Sequence, residues 1–542
     1  MEVKVQGRRW LFLAPLILAL LVVWYRWSVP GVSADAVTYL QIARNILSGD
    51  GLGWQALWAC PLQSIMIAGV SLFGFSLQAA AGIVSATAHI LLTLAVYFLG
   101  TRVEGIRTGL AASVLTALSP HLLFTASSAE PESLFTFTLI LSLLLFLQTL
   151  ERDSIFLAAG AGVSFCATYL SRSEGFLVWV LVVSLSALLR WRALREWRKA
   201  AVPIVTVAVF FAVASPYLLF LEKNYGRLVI SPKSSYVLIW MKSRIYHDND
   251  KGEMGNEELW GLSADGKRLR WMEPKGVGDL VSFLMSHPEK SLRVYLYNLS
   301  LEIPGRIPNN SGMERYPQLV PVAVGLLAVY GGLVSWGTRS RETKGVVLAP
   351  LLILLILPVF TEGWWKYLVA YQPLVLLTAA VGAVHALNAV SVRFPGGRWR
   401  GDAVLAIMVA ALALRFVFSY VPLLGRSVAP PPNADINERV AVADEQKKAG
   451  EWAVAQFGQG RNYMVPWSKL AYWLDGKWTA FPVAPPGDLL DYGRRQGAEF
   501  VVIEFRGAAS RDDVIRPFPG VEFVGAYASE KIPYVAAFYR IF

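Results

Sequence analysis

A few charged side chains sit where charge is costly, at the ends of long apolar runs. Asp35 follows the first such run, and Glu130 and Glu132 stand in Ser127-Ser128-Ala129-Glu130-Pro131-Glu132-Ser133. Arg172 and Glu174 stand in Tyr169-Leu170-Ser171-Arg172-Ser173-Glu174-Gly175, and Lys366 lies in Glu362-Gly363-Trp364-Trp365-Lys366-Tyr367. A carboxylate can take the proton of an attacking hydroxyl. A cation can hold a departing phosphate. Acids and isolated cations at one membrane surface therefore suit group transfer from a phosphate leaving group to a hydroxyl.

Each residue also has a plainer reading. Asp35, with Ser33 before it, suits the positive end of a helix, an effect worth about 0.3–1 kcal/mol. Glu130 and Glu132 could bind a metal or orient an acceptor, or simply sit in a solvated turn beside Pro131. Arg172 and Lys366 fit phosphate binding, Lys366 as a point charge, yet a lysine beside Trp364 and Trp365 also suits snorkelling to the interface. His89 and His121 lie in apolar segments and read as helix contacts, not metal ligands. Tyr246-His247-Asp248-Asn249-Asp250 lacks the glycine and terminal glutamate of a calcium loop and reads as a polar turn.

The elements that position these residues are set by composition. The chain of 542 residues is 55% hydrophobic and 16% charged, with a mean hydropathy of +0.45. That charged fraction is far below the quarter or so of a soluble domain. Apolar runs near 10–27, 77–100, 108–127, 134–150, 155–171, 175–190, 201–221, 317–336, 345–361, 367–390 and 402–422 are each near the length needed to cross a bilayer, about eleven spans in all. Pro61 to Phe75 is apolar but short and is expected along the membrane surface.

The net charge of +11 could suggest nucleic acid, but its distribution argues against that partner. Lys and Arg gather in short loops, at Arg102 and Arg107, at Arg190 to Lys199, at Arg339 to Lys344 and at Arg393 to Arg400. This is the positive-inside pattern. It places the N-terminus in the cytoplasm and puts residues 28–76, the tips near Glu130 and Arg172, the stretch 222–316 and the C-terminal segment on the extracytoplasmic side. The apolar run from Leu11 to Tyr25, with Trp24, Tyr25, Arg26 and Trp27 as an interfacial belt, reads as an uncleaved anchor. The two cysteines, Cys60 and Cys166, imply no disulfide framework.

Two domains are expected: a transmembrane catalytic domain over 1–425, with outer loops 28–76 and 222–316, and a soluble extracytoplasmic α/β domain over 430–542 after the Pro430-Pro431-Pro432 linker. In the first outer loop Val37, Leu40, Ala43 and Leu47 share one helical face, which predicts a helix over Ala34 to Leu47 ending at Gly49-Asp50-Gly51. In the C-terminal domain, helices are predicted over Glu438 to Phe457 and Asp488 to Gly497. Strands are predicted over Phe500 to Phe505, Val521 to Tyr527 and Tyr534 to Ile541.

Beyond the cytoplasm there is no nucleotide pool, so a transferase there needs a donor carried in the membrane, and a lipid-phosphate sugar fits. The stretch Ala34-Asp35-Ala36-Val37-Thr38-Tyr39 through Ala43-Arg44 to Gly49-Asp50-Gly51 resembles the first outer loop of the GT-C superfamily, especially protein O-mannosyltransferases and lipid A aminoarabinose transferases of family 39. Pro61-Leu62, Glu132-Ser133-Leu134-Phe135, Leu170 to Gly175, and Lys366-Tyr367-Leu368 followed by Pro373 agree with that pattern. The match runs from residue 30 to about 390.

The resemblance implies an α-helical polytopic GT-C fold in the inner (plasma) membrane, in which a polyprenyl-phosphate sugar is the donor and a lipid, glycan or protein hydroxyl the acceptor. It implies Asp35 as the catalytic carboxylate, Glu130 or Glu132 as a second acidic site, and Lys366 with Arg172 at the lipid phosphate. A divalent cation is a candidate cofactor, although Ala36 stands where a second acid is frequent, which weakens metal bridging. Lys366 replaces the usual arginine and loses bidentate geometry. The rival classes are a lipid or glycan flippase, which would place ionisable groups at mid-bilayer, and a membrane scaffold with a binding domain.

Overall fold

The computed structural model describes residues 11–26, 33–192, 195–231, 233–247, 260–273, 277–302, 322–338, 346, 351–359, 365–392, 434–466, 468–506 and 520–542. The expected span at 402–422, part of the one at 345–361, the proline linker and Asp248 to Asp250 lie outside the described residues. The first helices are α1 (Leu13–Arg26), α2 (Ala34–Leu47), α3 (Leu62–Ser71), α4 (Leu77–Glu104), α5 (Ile106–Ala117) and α6 (Pro120–Ala126). They are followed by α7 (Glu132–Arg152), α8 (Ile155–Ser171), α9 (Glu174–Leu189), α10 (Trp197–Tyr225) and α11 (Ser234–His247).

The chain packs as two units. The first joins Met1–Pro30, Cys60–Leu219 and Leu292–Gly425; the second joins Gly31–Ala59, Phe220–Ser291 and Arg426–Phe542. A unit boundary falls at Gly425, beside the expected one between 425 and 430, and residues 31–59 and 220–291, expected as outer loops of the first domain, group with the C-terminal segment.

Among the described residues, four helices are long and apolar enough to cross a membrane: Leu77–Glu104, Glu132–Arg152, Trp197–Tyr225 and Lys366–Ala389. The run expected as one span over 108–127 is a pair, α5 and α6, bent by 60°. Pro120 explains the break, since it cannot donate into the preceding turn and starts a new helix at its first position. In lipid the freed carbonyls need donors, and His89 Nε2 of α4 lies 3.4 Å from the Ala117 carbonyl oxygen.

Helix crossings in the first unit use small residues. A Cβ on Gly331 of the Val322–Thr338 helix would meet the Thr378 carbonyl oxygen of the Gln372–Val392 helix at 2.0 Å, and one on Gly382 would meet the Leu327 oxygen at 2.2 Å. Only glycine permits backbones that close, and van der Waals contact takes over from the hydrophobic effect as the adhesive. Between α7 and α8, Ser142 Oγ bonds Ser164 Oγ at 2.9 Å and lies 3.1 Å from Thr168 Oγ1.

The second unit is built on a five-stranded sheet of β1 (Asn462–Val465), β2 (Lys477–Ala480), β3 (Phe500–Arg506), β4 (Val521–Ala528) and β5 (Tyr534–Ile541), in the order β2-β1-β3-β5-β4. The β1 pairings are parallel, and β5 runs antiparallel to β3 and β4. Side-chain alternation gives each face a core. Phe500, Val502 and Phe538 pack with Ala449 and Ala453 of the Ala434–Phe457 helix and with Leu470. Val501, Ala537 and Tyr539 pack with Leu489 and Leu490 of the Pro486–Arg495 helix. The predicted helices and the last three strands are present, whereas β1, β2 and the Ser468–Trp473 helix are additional.

Candidate active site

In the first unit, four charged residues singled out in the sequence come together as two buried ion pairs. Glu130 and Glu132 flank Pro131, which opens α7 and leaves both carboxylates at the helix start. The tip before them is held by α3 and α4: Gln63 Nε2 donates to the Ala129 oxygen at 3.4 Å, and Ser85 Oγ donates to the Ser128 oxygen at 2.6 Å. Ser128 Oγ accepts from the Glu130 backbone N–H at 3.1 Å.

Arg172 closes α8 in an extended conformation, φ −153 and ψ 137, which turns its side chain off the helix axis. Its guanidinium donates to Glu132 Oε1 at 2.6 Å and to Glu174 Oε1 at 3.0 Å. The same group lies 4.7 Å from the centre of the Tyr367 ring, within cation–π range. Lys366, in the short Trp365–Leu368 helix, places Nζ 2.6 Å from Glu130 Oε2. Side-chain exposure is 8% for Arg172 and 6% for Glu132, against 16% for Lys366 and 9% for Glu130. Both pairs are thus largely shielded from water, where Coulomb attraction is strong and an unpaired charge is costly.

Within this cluster the second oxygen of Glu132, Oε2, is buried without a hydrogen-bond partner, and so is the Tyr371 hydroxyl. Buried polar atoms are ordinarily paired. The sequence marks Glu174 as a tip residue and Tyr367 as part of the Lys366-Tyr367-Leu368 pattern without giving either a role, and singles out neither Gln63 nor Tyr371. The Gln63 amide at the start of an apolar helix was the available signal.

Asp35 belongs to the second unit. It lies exposed in the first turn of α2, where Ser33 Oγ caps the helix by accepting from the Ala36 N–H at 3.0 Å. The helix buries Val37, Leu40 and Ala43 as its spacing predicts, while Leu47 is exposed. A capped helix start thus fixes the backbone that carries this carboxylate.

A metal is not supported by the donor set. Among the described residues no group of three or more His, Cys, Asp and Glu side chains is placed to hold an ion. Glu130 and Glu132 instead have ammonium and guanidinium partners.

Residues 61–220 match the family model for dolichyl-phosphate-mannose-protein mannosyltransferase. No match is found among curated protein sequences. Among solved structures, ArnT from Cupriavidus metallidurans bound to undecaprenyl phosphate is similar with a TM-score of 0.59 at 13% identity, over 99% of this chain and 98% of that one. The archaeal oligosaccharyltransferase AglB from Archaeoglobus fulgidus, in complex with an inhibitory peptide and a dolichol-phosphate, is similar with a TM-score of 0.56 at 15% identity, over 92% of this chain and 70% of that one. The arabinofuranosyltransferase AftD from Mycobacteria is similar with a TM-score of 0.52 at 16% identity, over all of this chain (100%) and 42% of its own length. These likenesses extend across the apolar helices and the α/β segment, and the chain is a multi-pass membrane protein of the GT-C fold.

Proposed function

We propose that this protein transfers a hexosyl or pentosyl group from a polyprenyl-phosphate carrier to a hydroxyl of a lipid, glycan or protein, at the extracytoplasmic face of the inner (plasma) membrane. The observation that carries the reading is the buried cluster of Glu130, Glu132, Arg172 and Lys366 in a fold shared with structures that hold undecaprenyl phosphate and dolichol-phosphate. Basic loops keep the N-terminus cytoplasmic and the C-terminal domain outside.

In the reaction, the acceptor oxygen attacks the anomeric carbon while the bond from that carbon to the phosphate oxygen breaks. The acceptor proton passes to Asp35, and the polyprenyl phosphate leaves as the anion. One displacement inverts the anomeric centre and needs no covalent enzyme intermediate. Lys366 and Arg172 offer the positive charge for the leaving phosphate, and Glu130 and Glu132 hold those cations in place before it arrives. An incoming phosphate takes over cation contacts that the carboxylates make in its absence.

The test is mass spectrometry of lipid-linked sugars and extracytoplasmic glycans in cells with and without the gene. Loss of one glycan substituent with accumulation of a polyprenyl-phosphate sugar is expected and would name the donor. An unchanged profile in both pools would overturn the reading.

A further inference from the structure

The C-terminal domain offers one turn, Tyr472 to Trp478, against which α2 is held by a set of polar contacts. Arg44 forms an ion pair with Asp475 at 3.2 Å and reaches the Tyr472 carbonyl oxygen from both terminal nitrogens at 3.4 Å. That oxygen ends the Ser468–Trp473 helix, where carbonyls lack helical partners. Gln41 Nε2 donates to the Gly476 oxygen at 3.1 Å, and Gln55 Nε2 and Trp54 Nε1 donate to the Trp478 oxygen at 3.2 and 2.6 Å.

These are not chance surface contacts. Gln41 and Gln55 are 1% and 2% exposed, so the donors they aim at this turn would lose buried acceptors without it. The turn itself has a special shape. Asp475 adopts φ 48 in the left-handed region, and a Cβ on Gly476 would meet the Arg461 carbonyl oxygen at 2.1 Å. A strained, glycine-dependent turn presents two carbonyls to α2, while the Trp478 carbonyl beside it takes the Trp54–Leu57 turn that follows that helix.

We propose that the Tyr472–Trp478 turn is a positioning platform for α2, and that Arg44 and Asp475 are positioning residues for the carboxylate at the start of that helix. The inference rests on the reading of Asp35 as the base. Arg44 and Asp35 are separated along α2 by about 14 Å at the helical rise of 1.5 Å per residue. A tilt of a few degrees at the platform would move the carboxylate by about 1 Å, a displacement that can cost about 10²-fold in rate. The C-terminal domain thereby acquires a part in the reaction although no catalytic group lies in it.

The experiment uses full-length protein expressed in cells lacking the gene, with product formation followed by mass spectrometry at matched protein level, and hydrogen exchange of the purified chain. Arg44→Ala should slow product formation at least tenfold, Arg44→Lys should stay within about threefold of the parent, and α2 amides should exchange faster in Arg44→Ala while β3 and β5 stay protected. A rate within twofold of the parent for Arg44→Ala would overturn the proposal. So would equal damage from Arg44→Lys, or a slowed rate with α2 protection unchanged. Asp35→Asn in the same cells separates the two ideas. If it is inactive while Arg44→Ala is normal, only the platform fails; if it is fully active, the assignment of the base fails.

Discussion

The two units carry the same kind of interaction in different surroundings. In the first, Arg172 and Glu132 meet with side chains 8% and 6% exposed; in the second, Arg44 and Asp475 meet with side chains 22% and 46% exposed. A buried pair is a poor source of net stability, yet breaking it strands a charge. A partly exposed pair contributes little to global stability, so its effect is confined to the placement of α2. On the proposed assignment, stability and transfer are therefore fused around Arg172 and separable along α2.

Substitutions should expose this contrast. Asp35→Asn is expected to lower the transfer rate by about 10²–10⁴-fold and leave the melting temperature of the purified protein unchanged, because Asp35 is exposed. A fall in both together would remove the distinction. Arg172→Ala should cost about 3–5 kcal/mol in chemical unfolding from detergent micelles, since it abandons the buried Glu132 carboxylate. A loss under about 1 kcal/mol would mean that water reaches the cluster and that the pair behaves as a surface one. Lys366→Gln, at a more exposed position, should weaken binding of undecaprenyl phosphate about tenfold by tryptophan fluorescence titration, with a smaller stability loss than Arg172→Ala. An unchanged affinity would return Lys366 to an interfacial anchor.

The smallest effect belongs to the pair between Lys477 and Asp50 at 2.8 Å. The hydrogen bond from Lys477, with a second from Ser48, holds the Asp50 carboxyl below the usual carboxylate range. A lowered folded-state value means that the contact stabilises at pH above about 4 and is lost as pH falls through the folded value. Both groups are solvated, so Lys477→Ala should shift unfolding by no more than about 0.5 kcal/mol at pH 7, and the shift should vanish near pH 2. A larger shift would give this edge of α2 the weight assigned to Arg44.

What could be read in advance followed from local physics. Helix α2 ends where its apolar spacing and the Gly49-Asp50-Gly51 stop signal place it, and the long strands β3, β4 and β5 follow from β-branched and aromatic runs. The strands β1 and β2 have four residues each, too few for a period to register. The charged residues could be singled out from their setting, but not paired. Glu130 finds Lys366 and Glu132 finds Arg172 across long stretches of chain, and such contacts exist only once α7, α8 and the Gln372–Val392 helix have assembled. The bend between α5 and α6 was hidden because apolar composition continues through Pro120.

That bend also fixes the chemistry of one imidazole. A carbonyl oxygen can only accept, so His89 must carry its proton on Nε2 to serve Ala117, leaving Nδ1 as a bare lone pair with no partner. His89 is thus frozen as a single tautomer, and the nitrogen-15 chemical shifts of its ring become a spectroscopic reporter on whether the broken helix is intact. Any motion that straightened α5 into the seven-residue α6 would release the proton donor and shift the tip that carries Glu130 and Glu132.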